Sequence, residues 1–361
     1  MLLMLVDHTR EIFYLHAQVR DPMDLAVTPP GLALTRMASH VCAPVFLLLT
    51  GLSAHLYAGK HGGRPAASRF LLTRGLFLIV LELTLVNLAW TGRLLPPVLY
   101  LQVIWAIGLS MVALAGLLRL PRAALVATAL AIVLGHNLLD PVVLQPDQPG
   151  FAVWSILHQR GLIPLPWGAA RTSYPVLPWI GVIAAGFALG PLFGPGVATG
   201  DRRRWLLGLA AAALCAFLVL RGLNGYGDPV PWQSGDDTGA TLLSFLNLTK
   251  YPASADFLLA TLSLGLVMLA ALEAVPAGAL VGLCVFGGAP LFFYLAHLWA
   301  LRLVHALAVQ FGFAAASGRI ELAAPGWIWA VAALFAAALY PACAWMVGLK
   351  RRSSRPVLSY L

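Results

Sequence analysis

Charge is what this sequence has least of. Only 10% of its 361 residues are Asp, Glu, Lys or Arg, while 60% are hydrophobic; soluble globular domains carry about 25% charged residues. So little charge excludes an ordinary water-facing surface. Cysteine is scarce as well. Cys42, Cys215, Cys284 and Cys343 are the only four, all in or beside apolar runs and without CxxC spacing, so neither a disulfide framework nor a metal site is expected. Short-period repeats and interdomain linkers are lacking too, and the chain reads as one domain.

What the chain has in abundance is apolar runs of membrane-crossing length. With no water to satisfy backbone N–H and C=O groups, such runs become helices, and about 20 residues at 1.5 Å each cross a bilayer core of about 30 Å. Nine segments qualify, near 39–58, 71–91, 98–118, 122–139, 174–194, 204–221, 254–273, 279–301 and 326–348. A tenth, Met1 to Val6, is too short and ends at Asp7 and His8. It lacks the basic leader and small-residue cleavage site of a signal peptide. Either the first helix continues past His8 through Ile12 and Leu15, or it starts upstream, and an upstream start is the expectation. The expected fold class is therefore all-α: a polytopic membrane protein, a single bundle of about ten transmembrane helices with structured outer loops.

The net charge of +9 is a topological signal. Cytoplasmic loops retain Lys and Arg. With both termini cytoplasmic, the inner loops collect Lys60, Arg64, Arg69, Arg74, Arg119, Arg122, Arg202, Arg203, Arg204, Lys350, Arg351, Arg352 and Arg355. A nucleic-acid partner has nothing further to recommend it. On the opposite side three connections are long: 8–38, 140–173 and 222–253. They are rich in Pro, Gly, Trp and Asp, and their aromatics argue against disorder. A cap over the outer end of the bundle is expected.

Ionisable groups at membrane depth are costly and each needs a reason. Asp7 and His8 close the first helix at the outer face, as a carboxylate beside an imidazole that either tunes the ring or anchors the helix end. His40, in Ser-His-Val-Cys-Ala-Pro, maps to the same face, as either a structural donor or a chemical group. Glu82 and Asn87 lie deep in the third span. Gln102 sits near the outer end of the fourth, and His136 with Asn137 ends the fifth. His297, near Tyr294, reads as an interior histidine bonded to a neighbouring helix. Arg69, Arg74 and Arg202 to Arg204 enforce topology or pair with the phosphates of a cytoplasmic ligand.

Several of these landmarks fall in a recognisable series: Asp-His-Thr-Arg at 7–10, Ser-His-Val-Cys-Ala-Pro-Val-Phe at 39–46 followed by Thr-Gly-Leu-Ser-Ala, Thr-Arg-Gly-Leu-Phe-Leu-Ile at 73–79, Leu-Gln-Val-Ile-Trp-Ala-Ile-Gly at 101–108, Gly-His-Asn-Leu-Leu-Asp at 135–140, Tyr-Pro-Val-Leu-Pro-Trp-Ile-Gly at 174–181 and Thr-Lys-Tyr-Pro-Ala-Ser at 249–254. The series resembles the bacterial branch of the heparan-α-glucosaminide N-acetyltransferase catalytic-domain family, in order and through nearly the whole chain. The resemblance implies a membrane acyltransferase of the bacterial inner membrane. It would carry an acetyl group from cytoplasmic acetyl-CoA, a co-substrate, to an acceptor on the far side, a glycan or glycolipid; lysosomal relatives acetylate the terminal glucosamine of heparan sulfate. It implies catalytic roles for His8 and for a second outer-face histidine, His40 or His16. Relatives carry an Arg-Gly about ten residues before the Asp-His, a position that precedes Met1.

Acyl transfer from sulfur to an amine or hydroxyl needs a base. The expected scheme has His8 as that base, oriented by Asp7, with His40 as oxyanion stabiliser or second base and Asn137 and Gln102 as amide donors to the oxyanion. Arg69, Arg74, Arg202, Arg203 and Arg204 hold the donor phosphates, and no metal takes part. A transporter or flippase for a glycan or lipid intermediate is the alternative, and it would require matching broken helices in two halves; Pro290 is one candidate break.

Overall fold

The computed structural model describes residues 1–14, 19–315 and 320–353, so His16 lies outside the described residues. In chain order the elements are α1 (Leu2–Phe13), α2 (Pro30–His40), α3 (Cys42–Lys60), α4 (Gly63–Leu81), α5 (Asn87–Thr91), β1 (Val98–Leu101), α6 (Val103–Leu117), α7 (Arg122–Gly135) and α8 (Phe151–Leu157). There follow β2 (Leu162–Leu165), β3 (Gly168–Thr172), α9 (Leu177–Leu189), α10 (Thr199–Leu223), α11 (Thr238–Leu246), α12 (Ala255–Leu272), α13 (Val281–Gly288), α14 (Pro290–Gln310) and α15 (Pro325–Arg352). Among the described residues seven helical stretches are long and apolar enough to span a membrane: 30–60, 63–91, 122–139, 199–223, 255–272, 290–310 and 325–352. The protein is a helical, polytopic membrane protein.

Four segments differ from their sequence-based bounds. The first helix does not close at Asp7 and His8: α1 runs from Leu2 to Phe13, through Ile12, so both residues lie within it. Each of the other three differs for a local reason. The apolar stretch 98–118 is not one helix. Asn87 holds both backbone groups of Tyr100, donating to its carbonyl at 2.8 Å and accepting from its N–H at 2.7 Å. That grip keeps Val98–Leu101 extended as β1, parallel to β3, which in turn pairs antiparallel with β2. The stretch 279–301 is two helices, because Pro290 opens α14 and Ala289 before it is non-helical. The span containing His40 begins at Pro30, so His40 ends the 11-residue α2 inside that span and does not open it.

The chain divides into two compact units, 43–273 and 1–42 with 274–361. In the first, α4 packs on α6, α6 and α7 on α9, and α12 on α7 and α10. Glycine sets how close these helices come. Cβ atoms on Gly51 and Gly186 would collide with the carbonyls of Ile183 and Leu48 respectively, so α3 and α9 touch backbone to backbone. Gly75 and Gly108 do the same for α4 and α6. Outward-facing Leu76, Val80, Trp205 and Val219 are more than half exposed, an arrangement suited to lipid.

These contacts fix two ends for this unit. Arg64 at the start of α4 donates to Leu120 O just past α6, and Arg202 at the start of α10 pairs with Glu273 just past α12. Lysines and arginines 60–69, 119–122 and 202–204 therefore share one end; Arg74, ten residues beyond Arg64 and next to the Gly75–Gly108 contact, lies about 15 Å further along α4. The sheet, His136, Asn137 and the segment 224–254 share the other. That segment is organised by buried Arg221, whose guanidinium donates to the carbonyls of Val230, Ser244, Phe245 and Asn247. In the second unit α1 packs against α2, α14 and α15.

Candidate functional site

Successive residues of a helix point about 100° apart, so Asp7 and His8 on α1 address different neighbours. His8 Nδ1 lies 2.7 Å from His297 Nε2 on α14. His297 is fully buried, and its Nδ1 lies 2.6 Å from the carbonyl oxygen of Phe293, one turn back. The two rings stack at 5.0 Å between centroids, with the Tyr294 ring edge-on to both. The Asp7 carboxylate accepts instead from Arg10 at 2.9 Å and from Arg36 on α2 at 3.1 Å. Both arginines are buried, and Arg10 also reaches Glu11. The imidazole thus has a hydrogen-bond partner in His297, 289 residues away. Asp7 holds α1 to α2 as part of a charge-balanced cluster of two acids and two arginines. His40 is buried at the junction of α2 and α3, two residues before Cys42.

At the polar end of the other unit, His136 and Asn137 grip the backbone that leads into α12. His136 contacts the carbonyls of Ile132 and Ala253 at 2.8 and 2.7 Å. Asn137 Oδ1 accepts from Ala255 N–H, an N-terminal donor that α12 cannot satisfy itself, and its Nδ2 donates to Asp140. Asp140 also meets His158 at 3.0 Å. Tyr226, which donates to Leu134 O, rests at the same end. Burial, reinforced by the Asp140 charge, pushes its phenol above the ordinary value.

Gln102 caps the start of α6 through its backbone. The buried Glu82 carboxyl accepts from Trp105 N–H at 3.2 Å, and the Gln102 and Ile104 amides face it as well. The helix carrying Glu82 loosens to a π-turn over Glu82–Val86. Of the two expected oxyanion donors, the Asn137 side chain has an architectural bond at a helix start, and Gln102 contributes its backbone there.

The structure separates the five arginines. Arg69 is exposed on α4, and Arg74 rests 5.0 Å above the Phe70 ring. Arg202 is held by Glu273 and lies over Phe193. Arg204 is almost fully exposed, 3.4 Å from Asp201. Arg203 Nε is buried with no hydrogen-bond partner among the described residues. Also among the described residues, no group of three or more His, Cys, Asp or Glu is placed to hold a metal ion.

The sequence favours His297 as an interior histidine bonded to a neighbouring helix over a chemical role; that bond exists, and its partner is the candidate base His8. Arg36 and His158 were missed. Nothing local marks either, since their partners lie 29 and 18 residues away.

A family model described as "Heparan-alpha-glucosaminide N-acetyltransferase, catalytic" matches residues 11–222, more than half of the chain. Comparisons with curated proteins and with solved structures give no match.

Proposed function

The chain belongs to the heparan-alpha-glucosaminide N-acetyltransferase catalytic family, a membrane acetyltransferase in general terms, and from that premise we propose that it moves an acetyl group from cytoplasmic acetyl-CoA to an amine or hydroxyl of an extracytoplasmic glycan or glycolipid. The observation that carries this reading is the buried pair His8–His297, an imidazole held in one orientation on the first helix, as proton-transfer chemistry requires. His8 takes the proton of the attacking group as the new C–N or C–O bond forms. The C–S bond breaks, and the proton passes to the departing CoA thiolate. His40 supports the oxyanion or serves as a second base.

In this reading the donor phosphates meet Arg69, Arg203 and Arg204 at the basic end of unit 43–273, and Arg202 shapes that end through Glu273; Arg74, further along α4, is left out of the donor site. Guanidinium groups suit phosphate because they donate two parallel hydrogen bonds. This end faces the cytoplasm in the proposed topology, with both termini on the same side and the bacterial inner membrane as the setting.

The test is thiol release from acetyl-CoA by the purified full chain in lipid nanodiscs, with glucosamine as acceptor probe. His8→Ala is expected to lower kcat by about 100-fold or more, the usual contribution of a positioned base. Turnover near that of the wild type removes His8 from the mechanism.

A further inference from the structure

A carbonyl oxygen can only accept a hydrogen bond. His297 Nδ1, 2.6 Å from Phe293 O, must therefore carry a proton. In a neutral ring the other nitrogen is then an acceptor. His297 Nε2 faces His8 Nδ1 at 2.7 Å, so the proton of that bond belongs to His8, and the lone pair of the His8 ring sits on Nε2. One main-chain carbonyl on α14 thus fixes the tautomers of two imidazoles in sequence.

We propose that His297 is a positioning residue for acetyl transfer, setting His8 in its Nδ1–H tautomer and sharing the charge when His8 Nε2 takes the acceptor's proton. The proposal rests on the reading of His8 as the base. As His8 becomes an imidazolium, its Nδ1–H bond to His297 Nε2 becomes charge-assisted and stronger. If the Nδ1 proton crosses to His297, that ring holds the positive charge with Nδ1–H still on Phe293 O. The two states differ by one short proton movement. When the thiolate leaves, the proton on His8 Nε2 goes with it and both rings return to neutral. The acyl carbon has exchanged sulfur for nitrogen or oxygen, and the pair is unchanged.

A merely structural role for His297 would stabilise the bundle without choosing the tautomer of His8. Two variants separate the roles. His297→Ala removes the acceptor. His297→Gln keeps an oxygen that can accept from His8 Nδ1–H and guards against the first variant simply failing to fold. Solid-state 15N NMR of the full chain in proteoliposomes, with labelled histidine and the His8 signals assigned by difference from His8→Ala, reports the tautomer without any need for turnover. The expected result is Nδ1–H for His8 in the wild type and in His297→Gln, lost in His297→Ala. Thiol release from acetyl-CoA should show kcat in His297→Ala down by about 10- to 100-fold, with KM for acetyl-CoA within about twofold, and partial recovery in His297→Gln.

An Nε2–H ring in the wild type, or a tautomer that survives His297→Ala, overturns the positioning role. Wild-type turnover in His8→Ala overturns instead the functional reading beneath it, and leaves the pair no catalytic part.

Discussion

Asn137 was expected to donate to a reaction intermediate, but its side chain joins two helices, and the two roles predict different outcomes for Asn137→Ala. The substitution strips the acceptor from Ala255 N–H, which is buried at the start of α12. An unsatisfied buried donor costs about 1–3 kcal/mol. It also removes the 2.8 Å bond to Asp140, and a hydrogen bond to a charged group is worth about 1.5–3 kcal/mol. Because this second bond is only part-buried, the lower half of that range applies, and the sum is about 2.5–5 kcal/mol. His136, bonded to Ala253 O, holds the neighbouring peptide and limits the damage to local opening at the α7–α12 contact. The assay is equilibrium unfolding of the full chain in mixed micelles with increasing SDS, followed by tryptophan fluorescence. A loss below about 0.5 kcal/mol would refute the clamp. Wild-type stability together with abolished turnover would restore Asn137 to the chemistry.

Three further expectations follow from the same contacts. Asp7→Asn leaves buried Arg10 and Arg36 without their shared anion and should cost about 3–5 kcal/mol, the usual penalty for breaking a buried pair, read as a fall in the SDS midpoint. Gly186→Ala drives a methyl group into the Leu48 carbonyl, and should destabilise the α3–α9 contact by about 1–3 kcal/mol or more, whereas Gly208→Ala, with open space around it, should be neutral in the same titration. Arg203→Gln should raise KM for acetyl-CoA about tenfold at unchanged kcat, since one charged hydrogen bond to phosphate is worth about 1.5–3 kcal/mol; an unchanged KM removes Arg203 from the donor site.

Membrane insertion, the helical class and most span positions were readable from the chain itself, because a lipid solvent imposes one rule on every apolar run of sufficient length, and local composition is enough to apply it. The motif series carried the family in the same way. The exceptions were set by distant groups: Val98–Leu101 reads as part of a span, yet Asn87 and β3 draw it into a sheet. The site was legible only as a set of names. Asp7 beside His8 suggests a carboxylate–imidazole pair, but helical geometry turns neighbours apart. Tertiary structure supplied the partners, Arg36 for the Asp7 carboxylate and His297 for the His8 imidazole. Hydrogen bonds depend on direction and on distances of about 3 Å, and a linear sequence encodes neither for residues 289 positions apart.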